Sequence, residues 1–158
     1  VKIFNDYNLI DKRFDIICCL ETLEHFNHED QRKLLSQMEK LLKPNGIICI
    51  SVPIEVYLSG FLKMIYRFLI GQKHENSSFK NLIYTLFGIN IFTPHTVHSL
   101  KTYDMQYKDT HVGFYYFNLI KLIENMNFEI VKIQYSPFPL LKSLLNSQIF
   151  IKIKLKNT

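Results

Sequence analysis

Two carboxylates and an imidazole fall within five residues in Glu21-Thr22-Leu23-Glu24-His25. An imidazole with an ordinary pKa of about 6.5 can take a proton from a hydroxyl near neutrality. Carboxylate oxygens beside imidazole nitrogens also suit a divalent cation. The group follows Phe14 to Leu20, FDIICCL, an apolar run with a single Asp15 that reads as a strand buried on both faces. An open α/β sheet places its ligands outside the carboxyl ends of its parallel strands, so the chemistry is expected here. His25 is the candidate general base. It can equally close the junction between loop and helix, and His111 carries the same two readings. His28, His74, His95 and His98 lie in polar or irregular stretches and read as solvated.

The element that positions these groups is the best-defined helix of the chain. Over Glu29 to Leu42, Leu34, Leu35, Met38, Leu41 and Leu42 repeat at helical spacing with charges opposite. Asn27 can cap its start, and Pro44 stops it. A Pro44-Asn45-Gly46 turn follows, in which Asn45 tolerates left-handed backbone, and then a second strand, Ile47 to Val52. Strand, helix and strand in this order form a crossover unit, so the two strands pair in parallel.

Taken together, these pieces resemble the second half of the class I S-adenosylmethionine-dependent methyltransferases. The family's strand beginning FD, its E-x-x-E-H loop, its L-K-P-G-G turn and its S-x-P strand end stand here as Phe14-Asp15, Glu21 to His25, Leu42 to Gly46 and Ser51-Val52-Pro53. Asn45 departs from the usual Gly. A helix with Leu119, Ile120, Ile123 and Met126 on one face, a strand from Phe128 to Tyr135 and a last strand from Gln148 to Leu155 match the family's closing elements. The resemblance implies an α/β fold: a partial Rossmann-like methyltransferase sheet of parallel strands with crossover helices, its last strand antiparallel.

It implies S-adenosylmethionine as cofactor, with Asp6 and Tyr7 at the adenine and Cys19, Leu20 and Glu21 along the methionine part. Read from the residues alone, Asp6 is a turn aspartate and Cys19 and Leu20 are core. Residues 54–110 correspond to a variable cap within one domain, and His111 to the substrate side. Aromatic residues including Tyr57, Phe61, Tyr66, Phe68 and Phe114 to Tyr116 would enclose a small-molecule, lipid or glycan acceptor, or else belong to the core. Glu21, Glu24, His25 and His111 also resemble the metal-binding set of methyltransferases acting on the 2′-hydroxyl of small RNAs. The expectation here is no metal and no nucleic-acid partner. The five glycines, Gly46, Gly60, Gly71, Gly88 and Gly113, are too dispersed for the family's Gly-rich cofactor loop. The chain starts at Val1, so the amino-terminal strands of the sheet are expected to be missing. A non-catalytic remnant that packs on a partner is the competing class.

With 158 residues, 47% of them apolar, the chain can build one real core. A net charge of +5 is a mild bias, short of a nucleic-acid signature. Cys18, Cys19 and Cys49 fall within predicted strands, which argues for reduced thiols and a cytoplasmic setting. Val56 to Ile70 is too short to span a bilayer and reads as a lid helix or as a peripheral membrane contact. Gln72 to Lys80 reads as a loop, Tyr84 to Lys108 lacks a period, and Thr93-Pro94-His95 marks a turn.

Overall fold

The computed structural model describes residues 12–71, 79–90, 97–100, 104–108, 111 and 113–156. Asp6, Tyr7, His74 and the Thr93 to His95 turn lie outside the described residues.

Asn27 opens the crossover helix as its residue type favours: its backbone is extended and its side chain accepts from the Asp30 N–H at 2.9 Å. Helix α1 then spans His28–Leu41. Strand β1, Phe14–Leu20, and strand β2, Leu42–Pro53, pair in parallel from Ile16↔Ile47 to Leu20↔Ser51. The expected Pro44-Asn45-Gly46 turn is corrected. The chain passes from α1 straight into β2, and a register irregularity between Phe14 and Ile16 absorbs the extra residues. Neither Asn45 nor Gly46 has a positive φ. Glycine is needed at 46 for space, since a Cβ there would sit 2.7 Å from Leu42 Cδ1 and 3.0 Å from the Phe14 carbonyl.

The sheet continues in the order β1-β2-β6-β5, where β5 is Phe128–Ser136 and β6 is Gln148–Leu155. β6 is antiparallel to both neighbours, as expected for the last strand. Register lines up rows of apolar side chains on one face: Ile17, Ile48, Ile153 and Ile130 in one, Cys19, Ile50, Ile151 and Ile133 in the next. Leu35 of α1 joins Leu119, Leu122 and Ile123 of helix α4, Tyr116–Glu124, in covering this face. Leu122, outside the stripe read from the sequence, is buried as deeply as its neighbours.

The opposite face is open among the described residues. The reading of β1 as buried on both faces is therefore corrected: Ile16, Cys18 and Leu20 are exposed, because no described element covers that face of the sheet, and among the described residues β1 pairs only with β2. All three cysteines are free, but only Cys19 is fully buried.

Between β2 and α4 lie helix α2, Tyr57–Leu69, helix α3, Phe79–Leu86, and a hairpin of β3, Val97–Leu100, with β4, Met105–Lys108. α3 begins at Phe79, which shortens the expected loop, and the hairpin gives order to part of the aperiodic stretch. The hairpin docks on the α1 end of the crossover. Phe26 bridges to Tyr107, the Gln106 N–H donates to Asp30 Oδ2 at 3.0 Å, and Lys33 donates to the Asp104 carbonyl at 3.0 Å. A short helix α5, Lys142–Leu145, precedes β6. No described helix is long and apolar enough to cross a membrane.

Candidate active site

Leu20 and Cys19 end β1 on opposite faces, as the two-residue period of a strand requires. Cys19 is buried in the core, and burial pushes its thiol up to about 11. Leu20 is 54% exposed on the open side. The two side chains thus lie on opposite faces of the sheet, while the backbone of both forms the strand end. Glu21 then turns the chain with φ of 48°, a conformation a non-glycine residue rarely adopts. Ser51 of β2 holds it there: the Glu21 N–H donates to the Ser51 carbonyl at 3.0 Å, and the Ser51 hydroxyl donates to Glu21 Oε1 at 3.0 Å. Strain fixed in this way at a strand end is a common property of functional sites.

A single 3-10 turn, Leu23–His25, follows. It drives the Glu24 side chain inward, where Oε2 has no hydrogen-bond partner among the described residues. Burial, aided by the nearby Glu21 charge, pushes the Glu24 carboxyl up to about 7. Its Oε1 lies 3.8 Å from His25 Nε2. His25 Nδ1 sits 3.0 Å from the Lys108 carbonyl of β4. A carbonyl only accepts, so Nδ1 carries the proton and Nε2 is left as the basic nitrogen.

His111 meets His25 edge to face, with ring centroids 5.9 Å apart, so the two histidines separated by 86 positions are brought together. Both rings are about one-third exposed. Behind His111 lies a group the sequence reading missed. Glu55, just past β2, is buried and takes Arg67 Nη1 at 2.9 Å, Lys63 Nζ at 3.1 Å and His111 Nε2 at 3.6 Å. Burial pushes the Glu55 carboxyl up, but the Arg67 hydrogen bond and the charges of Lys63, Arg67 and His111 outweigh it, leaving it below the ordinary range. Burial chiefly lowers His111, helped by Arg67 and Lys63 and opposed by Glu55. One signal was available: Glu55 is the only acidic residue between Val52 and Gln72, and Lys63 and Arg67 fall four apart on α2.

The aromatic residues of the expected cap differ in burial. Tyr116 is wholly buried in the core, and Tyr66 and Phe68 are about two-thirds exposed. Among the described residues no group of three or more His, Cys, Asp or Glu side chains is placed to hold a metal ion. Glu21 is turned to Ser51 and Glu24 is buried beneath the turn.

A family model described as a methyltransferase domain matches residues 5–133. No curated protein matches the sequence. Among solved structures, an S-adenosylmethionine-dependent methyltransferase from Clostridium acetobutylicum is similar with a TM-score of 0.56 at 12% identity, covering 97% of this chain and 63% of that one. The CcbJ methyltransferase from Streptomyces caelestis gives 0.51 at 10% identity, with 98% and 63% covered. The glycopeptide N-methyltransferase MtfA, solved with S-adenosylmethionine, gives 0.50 at 9%, with 97% and 59% covered. At these identities the likeness is one of fold, and the chain spans less than two thirds of the length of each.

Proposed function

The chain belongs to the methyltransferase-domain family, and we propose that the protein transfers a methyl group from S-adenosylmethionine to a hydroxyl of a small-molecule, lipid or glycan acceptor. The bound MtfA cofactor supports the choice of methyl donor. The residues at the end of β1 fit that donor, a sulfonium cation with apolar and polar parts: Leu20 offers an exposed apolar side chain and Glu21 an exposed carboxylate beside it. When bound, S-adenosylmethionine supplies a methyl group already activated on sulfur. The protein's own task is then orientation, which contributes up to about 7–11 kcal/mol in favourable cases, and removal of the acceptor's proton.

The observation that carries this reading is the fixed tautomer of His25. With Nδ1–H bound to the Lys108 carbonyl, Nε2 is the atom placed to accept the acceptor's hydroxyl proton, and the bound donor would supply the methyl and leave as S-adenosylhomocysteine. His111, tied to Glu55 and Arg67, meets the His25 ring edge to face and is the group proposed to orient the acceptor. Asp6 and Tyr7 are proposed to hold the adenine. Calorimetric titration of the full-length gene product with S-adenosylmethionine tests the reading. Micromolar binding that weakens by about 1–3 kcal/mol in Asp6→Ala is expected. No heat at millimolar donor would overturn it. The edge and face of β1 left exposed among the described residues favour a second reading, a module that packs on a partner without binding the donor, and the same titration separates the two.

A further inference from the structure

We infer that the face formed by α2, α3 and the segment from Phe138 to Leu145 docks the protein onto an anionic phospholipid bilayer. α2 is polar inside and apolar outside. Its cations Lys63 and Arg67 turn inward to Glu55, and its buried positions are Ser59 and Gly60. Leu62, Tyr66 and Leu69, spaced i, i+4, i+7 and so on one side of the helix, are 51%, 64% and 75% exposed. α3 repeats the inversion: Thr85 is buried against Met64, while Phe79, Ile83 and Leu86, at the same spacing, are exposed. α2 packs against both α3 and α5, and beside α5 Leu140 is 96% exposed. A surface meant only for water rarely gathers large apolar side chains over three adjoining elements.

Charge selects the occupant. Residues 57–71, 79–90 and 137–147 contain no Asp or Glu. The exposed cations on these segments are Lys80 and Lys142, and the chain as a whole carries +5. Among the described residues of these segments, apolar side chains flanked by lysines and free of carboxylates complement an anionic headgroup layer. Neither α2 nor α3 is long enough to cross, so contact is confined to the interface.

Cosedimentation of the full-length protein with vesicles of equal parts phosphatidylglycerol and phosphatidylcholine, and with phosphatidylcholine alone, tests the proposal. The protein should pellet with the anionic vesicles and less with the neutral ones. Leu69→Asp combined with Leu140→Asp, two solvent-facing changes that leave the melting temperature in place, should reduce pelleting by about tenfold or more. As a second measurement, made on the 158-residue chain, which has no tryptophan, Leu62→Trp should report a blue shift in emission on adding anionic vesicles. Three outcomes would overturn the proposal: wild type that stays in the supernatant, a double variant that pellets like wild type, or a wild-type dimer that the double substitution dissociates without vesicles. The last would assign the face to a second copy of the chain.

Discussion

Glu24 and Glu55 are both buried, yet their surroundings push them in opposite directions, and the difference lies in what each carboxylate touches. Glu55 meets two cations, whereas Glu24 has one oxygen without a partner among the described residues and a neighbouring carboxylate in Glu21. A carboxyl whose folded pKa is raised binds its proton more tightly in the native state. Its contribution is therefore fully present below the unfolded value and is lost as pH rises from about 4.5 through about 7. Glu24→Gln should remove this slope, so its melting temperature should exceed that of wild type at pH 8 and match it near pH 4. An equal loss of stability at both pH values would show that the carboxyl is not titrating in this window. His25→Gln separates two roles of the imidazole, because glutamine can still donate to the Lys108 carbonyl but cannot accept a proton at neutral pH. The methyl-transfer rate should fall by about 10²–10⁴-fold with donor affinity unchanged, and a chelator should leave wild-type activity intact. Full activity in the variant, or chelator inhibition reversed by a divalent ion, would reject the base assignment. Glu21, Glu24 and His25 were legible because they are adjacent in sequence. The Glu55 cluster was not, because its partners lie 8, 12 and 56 positions away and only the fold brings them together.

α1 and β6 were legible nearly to the residue, since each carries an unbroken period over several turns or pleats and α1 adds a capping Asn27. α3 and the β3–β4 hairpin were not, because strands of four residues and a helix of eight offer too few repeats to show a period. The position of α2 rests on two close features. Gly60 lets the helix approach β2's exit, as a Cβ there would overlap the Glu55 backbone carbonyl and Thr85 Cγ2. Gly60→Ala should therefore shift α2 and cost about 1–3 kcal/mol in urea unfolding, despite alanine's better helix propensity. A neutral or stabilising result would mean that α2 is free to move away. Glu55→Ala leaves Lys63 and Arg67 without their carboxylate, and should cost about 3 kcal/mol in the same unfolding experiment.

At the scale of the whole molecule, the sheet among the described residues has one face packed under α1 and α4 and one face open. The order of elements was legible from the motifs around β1 and β2. That β6 inserts between β2 and β5 was not, because alternation in β6 specifies a covered face without naming its neighbours. Among the described residues, the open face and an unpaired edge coincide on β1, where Ile16 is 58% exposed and Phe14 and Leu20 stand beside it on the same face. An edge strand with apolar side chains and unpaired backbone groups is a template for another strand, and proteins blunt such edges with lysine. The 158-residue chain should thus associate as its concentration rises, which light scattering after size exclusion would detect. Ile16→Lys should suppress that association at little cost in melting temperature, because the Ile16 side chain is exposed and its strand keeps its ladder to β2. A variant that associates as readily as wild type would exclude β1 as the contact. If Leu69→Asp with Leu140→Asp abolished the association instead, the contact would lie on the α2 face.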